Sequence, residues 1–89
     1  MKGSKKINLP QSGGFNTPAL TPNGIYLYYP IFTGGSNSVY MINTKTNRVV
    51  GSAIPVGSQP FAVAIASNAK RAYVSNYADG TVSVIDIAP

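Results

Sequence analysis

Short apolar runs alternate with turn residues along the whole chain. No run longer than about ten residues keeps a helical period without a Gly or Pro inside it. The pattern predicts strands. Phe61-Ala62-Val63-Ala64-Ile65-Ala66 is apolar throughout, which predicts a strand buried on both faces. Arg71-Ala72-Tyr73-Val74-Ser75 is a second strand. Asp79-Gly80 predicts a two-residue hairpin turn with positive φ at both positions. Thr81-Val82-Ser83-Val84-Ile85-Asp86 follows, with Val82 and Val84 on one face and Ser83 and Ile85 on the other. In the first half, residues 38–43 form the equivalent strand and Thr44-Lys45-Thr46-Asn47 the turn that closes it. Residues 48–56 form a fourth strand, and Gly57-Ser58-Gln59-Pro60 interrupts the chain before the next unit.

The strands repeat. Leu9-Pro10 precedes Ile54-Pro55 by 45 positions, and at the same offset Ala19-Leu20 matches Ala64-Ile65 and Asn23 matches Asn68. The register then shifts, so that Tyr26-Leu27 matches Tyr73-Val74. Ser38-Val39 and Ile42-Asn43 match Thr81-Val82 and Ile85-Asp86 at a spacing of 43. The extra residues of the first unit fall in 29–35, where a loop is expected because loops tolerate insertions. Four short strands in about 40–45 residues, repeated, predict propeller blades. A β-sandwich has strands at similar intervals but does not require the same unit twice.

Ala72-Tyr73-Val74-Ser75-Asn76-Tyr77, with Asp79-Gly80-Thr81-Val82-Ser83-Val84-Ile85-Asp86 behind it, resembles the YVTN repeat of seven-bladed and related β-propellers. Ser75 stands where that family's name-giving motif has Thr. Residues 47–57, which include Ile54-Pro55-Val56-Gly57, resemble the family's outer strand and its exit. The first unit matches less closely: Tyr26-Leu27-Tyr28-Tyr29 stands at the Tyr-Val-Thr-Asn position, and Asn43 replaces the usual Asp. The resemblance runs from Ile7 onward. It implies an all-β chain of two four-stranded antiparallel units in the order D-ABCD-ABC, a partial propeller. Residues 1–14 would form a tail and outer-strand remnant, 15–57 the first blade, and 58–89 a second blade lacking its outer strand. Two blades do not close a ring, since propellers carry about 4–8. The implied partners are therefore further blades, supplied by oligomerisation or by additional sequence. Relatives are often exported or displayed on bacterial surfaces, which leaves the compartment open.

Of the 89 residues only 10% are charged, against about 25% in an average globular domain. Ser, Thr, Asn, Gly and Tyr must cover the surface. The net charge of +5 is concentrated in Lys2, Lys5 and Lys6; the remainder sets Lys45, Arg48, Lys70 and Arg71 against Asp79 and Asp86. No run of like charges marks an interaction tail. Residues 1–10 have lysines but no apolar stretch behind them, so no export signal is expected there. No apolar run approaches the roughly 18 residues of a membrane span.

Without Cys or His, thiolate and imidazole metal sites and a His-based triad have no residues to build them. Some nitrite reductases have haem-binding propellers of similar fold, but their iron needs a ligand such as His, so that activity is not implied. Asp79 and Asp86 are the only carboxylates, and both read as turn and strand-end residues that bond nearby backbone amides. Ser12-Gly13-Gly14 and Gly34-Gly35-Ser36 precede no helix and read as turns rather than phosphate cradles. No catalytic residue, cofactor or metal ligand is expected.

The leading expectation is a non-catalytic repeat module for binding or assembly. One alternative is a nucleic-acid-binding propeller, because Tyr with Lys or Arg stacks on and neutralises single strands. Basic and aromatic residues are not interleaved here, and alternating Tyr also fills the space between blades. A second alternative is a part of a larger propeller enzyme whose active site lies elsewhere. The candidate binding residues are Tyr28, Tyr29 and Phe32 in the expected loop, together with Lys70, Arg71 and Tyr77, and the candidate ligand is a protein.

Overall fold

The computed structural model describes residues 3–10, 16–33 and 36–87. Among them there is no helix, hence none long and apolar enough to cross a membrane. The chain is all-β. Strands β1 (Ala19–Leu20), β2 (Tyr26–Thr33), β3 (Ser36–Asn43) and β4 (Arg48–Pro55) form one antiparallel sheet in sequence order. Strands β5 (Pro60–Ile65), β6 (Arg71–Asn76) and β7 (Thr81–Asp86) form a second. An isolated parallel bridge joins the two, with Thr17 donating to the Phe61 carbonyl at 3.0 Å and accepting from the Val63 amide at 3.2 Å.

Sequence explains the strand lengths. Pro18 and Pro22 bracket β1 and hold it to two residues. Because β1 ends so soon, the rim of β2 beyond Tyr28 has no ladder on that side. Pro30, which has no N–H, is therefore tolerated there, and its carbonyl accepts from the Asn16 side chain at 2.6 Å. Between the Val39–Ile54 and Met41–Val50 pairs the outer strand β4 carries extra residues, with Gly51 at a φ of 70°. Such a bulge twists an edge strand and hinders unwanted pairing. Residues 29–33 are thus strand, not part of the expected loop. β2 and β3 pair through to Thr33–Ser36, a longer hairpin instead of an inserted surface loop, and Gly34 and Gly35 lie outside the described residues, as do Ser12, Gly13 and Gly14.

The repeat is visible in the hydrogen bonds. The amide of Thr21 donates to the Tyr26 carbonyl at 2.8 Å, and that of Ala66 to the Arg71 carbonyl at 2.9 Å. Gly24 donates to Thr21 and Ala69 to Ala66, both at 2.8 Å. The Asn23 side chain accepts from the Ile25 amide, and the Asn68 side chain from the Lys70 amide, both at 3.0 Å. Gly24 and Ala69 both have positive φ, 77° and 60°. The two loops are one conformation. The offset of 45 therefore persists into the next strand: Ala19 pairs with Tyr28 as Ala64 pairs with Tyr73. This corrects the equivalence expected from sequence, because Tyr28, not Tyr26, occupies the position of Tyr73.

Three further expectations are corrected. Residues 3–10 contain no strand, so the outer-strand remnant at residues 6–10 does not form. Ile7 is 37% exposed and both lysines are exposed, which leaves too little burial to offset the entropy of ordering. The β6–β7 hairpin has a four-residue loop, not a two-residue turn: Asn76 pairs with Thr81, and only Gly80 has positive φ, its amide donating to the Asn76 carbonyl at 3.1 Å. Asn47 closes the β3–β4 loop in the same way, at 2.8 Å from the Asn43 carbonyl. Finally, β5 is buried on one face only, with Phe61 and Ala64 exposed.

Directly paired residues share a face, so the register assigns the core. The packed face of the first sheet carries Tyr26, Tyr28, Val39, Met41 and Ile54, and that of the second carries Val63, Ile65, Ala72, Val74 and Ile85. These residues meet in one cluster, in which Val39, Ala72 and Val74 are fully buried. The outer face of the first sheet is also buried at Ile31, Tyr40 and Ile42.

Tyr28 fills the seam between the sheets. Burial, and secondarily the neighbouring Tyr26, push its phenol above the ordinary value. The stability this contributes is complete below about pH 10, where an unfolded tyrosine ionises, and is lost as pH rises through the raised value. In alkaline unfolding titrations, Tyr28→Phe is therefore expected to hold its denaturation midpoint to higher pH than the parent chain. Parallel decay of the two midpoints would exclude Tyr28 as the group responsible.

Candidate binding surfaces

The segment between the sheets, residues 56–59, is held from both sides. Asn37 of β3 accepts from the Val56 amide through its carbonyl at 3.2 Å and from the Gln59 amide through its side chain at 3.0 Å. On the other side the Tyr77 amide donates to the Gln59 carbonyl at 2.9 Å, and the Ala78 amide to the Ser58 carbonyl at 3.2 Å. Asp79 accepts from the Ser58 amide at 3.0 Å and from the Thr81 hydroxyl at 2.6 Å. The Thr81 hydroxyl and then the Ser58 amide hold its carboxyl below the usual carboxylate range. A carboxylate committed to backbone in this way is a structural group.

Asn76, the last residue of the Tyr-Val-Ser-Asn run, is 2% exposed and organises the end of the second sheet. Its amide nitrogen donates to Thr81 Oγ1 at 3.1 Å and to Ser83 Oγ at 2.9 Å. Both acceptors are themselves engaged: the Thr81 hydroxyl donates to Asp79, and Ser83 Oγ also accepts from the Gly57 amide at 3.1 Å. These bonds fix the orientation of the amide. Gly57 lies so close that a Cβ there would stand 2.6 Å from Asn76 Cγ and Nδ2. The glycine that leaves the first unit and the asparagine of the second therefore form one contact.

At the loop end of the sheets an open cleft of about 890 Å³ lies against the two equivalent loops. Lys70 and Arg71 line it beside Tyr26, Tyr73 and Asp86. Arg71 Nε lies 3.4 Å from Asp86 Oδ1, a cross-strand pair whose side chains are both largely exposed. Such a pair contributes little to stability. It replaces the expected bonding of Asp86 to nearby backbone amides.

The six candidate residues do not converge. Lys70 and Arg71 share the cleft. Tyr28 is 2% exposed in the core and is not a surface residue. Tyr29 is half-buried on the outer face of the first sheet opposite Tyr40, and Phe32 is half-buried opposite Asn37. Tyr77 is 79% exposed at the β6–β7 loop.

Sequence reading missed the larger surface. The second sheet has a bare face carrying Ala62, Ala64, Tyr73, Val82 and Val84. Tyr73 is 39% exposed, Val82 60% and Val84 56%, with Phe61 at 48% on the bulge of β5. The alternation in Thr81–Asp86 contains the signal, since it places Val82 and Val84 together on one side, but nothing in the alternation says that this side stays uncovered. No family model matches the sequence, and no curated protein is similar to it.

Proposed function

We propose that this chain is a non-catalytic repeat module of the β-propeller type, similar to YVTN repeats, whose blade-like units serve binding or assembly. One observation carries the reading. The packed face of the first sheet and the bare face of the second occupy equivalent positions: Tyr28 with Tyr73, Met41 with Val84, and Val39 with Val82. The units thus stack head to tail, each offering the next the same type of face, which is how blades follow one another around an axis. Nuclear Overhauser contacts between the Tyr28 ring and the Val74 methyls, and between Thr17 and Val63, test the stacking. Their absence from a folded sample removes the reading.

A second reading draws on the cleft, where two cations and two tyrosines are brought together although they are dispersed in sequence. A single-stranded nucleic acid would use both kinds of group. Anisotropy of a labelled oligonucleotide under a salt titration separates the two readings. The assembly module shows no binding at 50 mM salt, whereas a nucleic-acid interface loses affinity steeply, with a slope of about −0.7 per phosphate neutralised.

A further inference from the structure

The bare face of the second sheet has an internal counterpart that shows what covers a face of this kind. In the first unit Tyr28 is 2% exposed and Val39 0%, because the second sheet lies on them. At the equivalent positions of the second unit Tyr73 is 39% exposed and Val82 60%. The chemistry is conserved between the units, Tyr for Tyr and Val for Val, and only the cover differs. An apolar patch of this kind marks an interaction site more often than a solvated surface. The cover in the first unit is the packed face of the second sheet, with Ala72, Val74 and Ile85. The positions equivalent to these in the first sheet are Leu27, Tyr29 and Ile42, on its outer face. Leu27 and Tyr29 are partly exposed there, as is Val49 on the adjoining strand, whereas Ile42 between them is 3% exposed.

We infer that the bare face of the second sheet binds a second copy of this chain, which lays the partly exposed Leu27, Tyr29 and Val49 on the outer side of its first sheet across Tyr73, Val82 and Val84. The inference rests on the repeat-module reading and names its partner. The contact is heterologous, since the two surfaces differ, and repeating it either closes a ring or extends a filament. A ring with the usual 4–8 blades needs roughly two to four copies.

Light scattering on the full chain over a range of concentration tests this. The expected mass is that of two to four chains, and Val84→Asp or Val82→Asp is expected to reduce it to one. Both side chains are exposed within a single copy, so neither variant should unfold it. Val49→Asp alters the complementary face and is also expected to give single chains. Mixed with Val84→Asp it should give a species of two chains, because each variant retains one intact surface. A parent chain that stays single up to millimolar concentration overturns the inference, as does an assembly whose mass is unchanged by Val82→Asp and Val84→Asp. The Tyr28–Val74 contact, measured in the Val84→Asp chain, separates the two failures. Its presence with a single-chain parent refutes only the self-association, and its absence refutes the stacked units as well.

Discussion

Val74→Asp is expected to abolish cooperative folding, whereas Val84→Asp in the same sheet, measured in dilute solution, is expected to shift stability by no more than about 0.5 kcal/mol. Val74 is fully buried between the sheets, in a cluster with Tyr28, Val39, Val63, Ala72 and Ile85. Losing its burial costs about 1.5–3 kcal/mol. A carboxylate left unpaired in that position costs about 3–5 kcal/mol more. A domain this small sits at the low end of the usual range of about 5–15 kcal/mol, so the sum meets or exceeds what holds it together. Val84 lies between Ser83 and Ile85 in the strand but points to the opposite face of the sheet, where it is 56% exposed. Far-UV circular dichroism with urea titration reads both variants. A cooperative transition in Val74→Asp would mean that the sheets do not pack through these faces.

The second large effect lies at Gly57. Gly57→Ala is expected to destabilise by about 3 kcal/mol, combining overpacking with the disruption of buried hydrogen bonds. The added Cβ would meet the Asn76 side chain at 2.6 Å, a distance that real Cβ contacts essentially never show. Asn76 has little freedom to retreat, because its amide is held by Thr81 and Ser83 in a site that is 2% exposed. Asn76→Ala alone is expected to cost about 1–3 kcal/mol through the donors and acceptors it leaves without partners. The double variant Gly57→Ala, Asn76→Ala is expected to cost clearly less than the two singles together, since the alanine at 76 removes the atoms in conflict. A coupling of about 1–2 kcal/mol from urea midpoints supports the contact, and strict additivity refutes it.

Much of the local structure is legible in the chain. Strand character at 38–43, 48–56, 71–75 and 81–86 follows from Val, Ile, Thr and Tyr bounded by Gly, Asn and Asp, and the structure has strands at 36–43, 48–55, 71–76 and 81–86. Asn23 and Asn68 mark the two equivalent loops at 21–26 and 66–71, which share their backbone turn bonds and the Asn side-chain bond, while the Thr21 hydroxyl adds bonds that Ala66 cannot make. Identity of letters misled where it outweighed spacing. Aligning Tyr26 with Tyr73 placed the first unit's extra residues in a loop, whereas the loop geometry carries the same offset into β2 and lengthens the hairpin instead. The Asp79-Gly80 dipeptide suggested the shortest turn, but Asn76 and Thr81 pair across a longer loop in which Asp79 bonds to Ser58, a partner 21 residues away. No window of neighbouring residues contains that partner.

The candidate surfaces show the same division. Lys70 and Arg71 were found because charge on a turn is conspicuous in a chain with so little charge. An expected loop puts Tyr28, Tyr29 and Phe32 on a surface, whereas the strand that forms there buries Tyr28 and half-buries the other two. The importance of Gly57 and Asn76 to each other was hidden, because two residues 19 apart touch only when one unit docks on the next.

The order of apolar and turn residues determined by itself that this chain forms antiparallel strands and that its two halves repeat, because pleat and turn chemistry act between near neighbours. Which faces are covered was decided only by the tertiary structure. Tyr28 and Tyr73 are the same residue at the same place in the repeat, yet one is 2% exposed and the other 39%. Burial depends on what lies across the sheet, and that neighbour belongs to a different part of the chain.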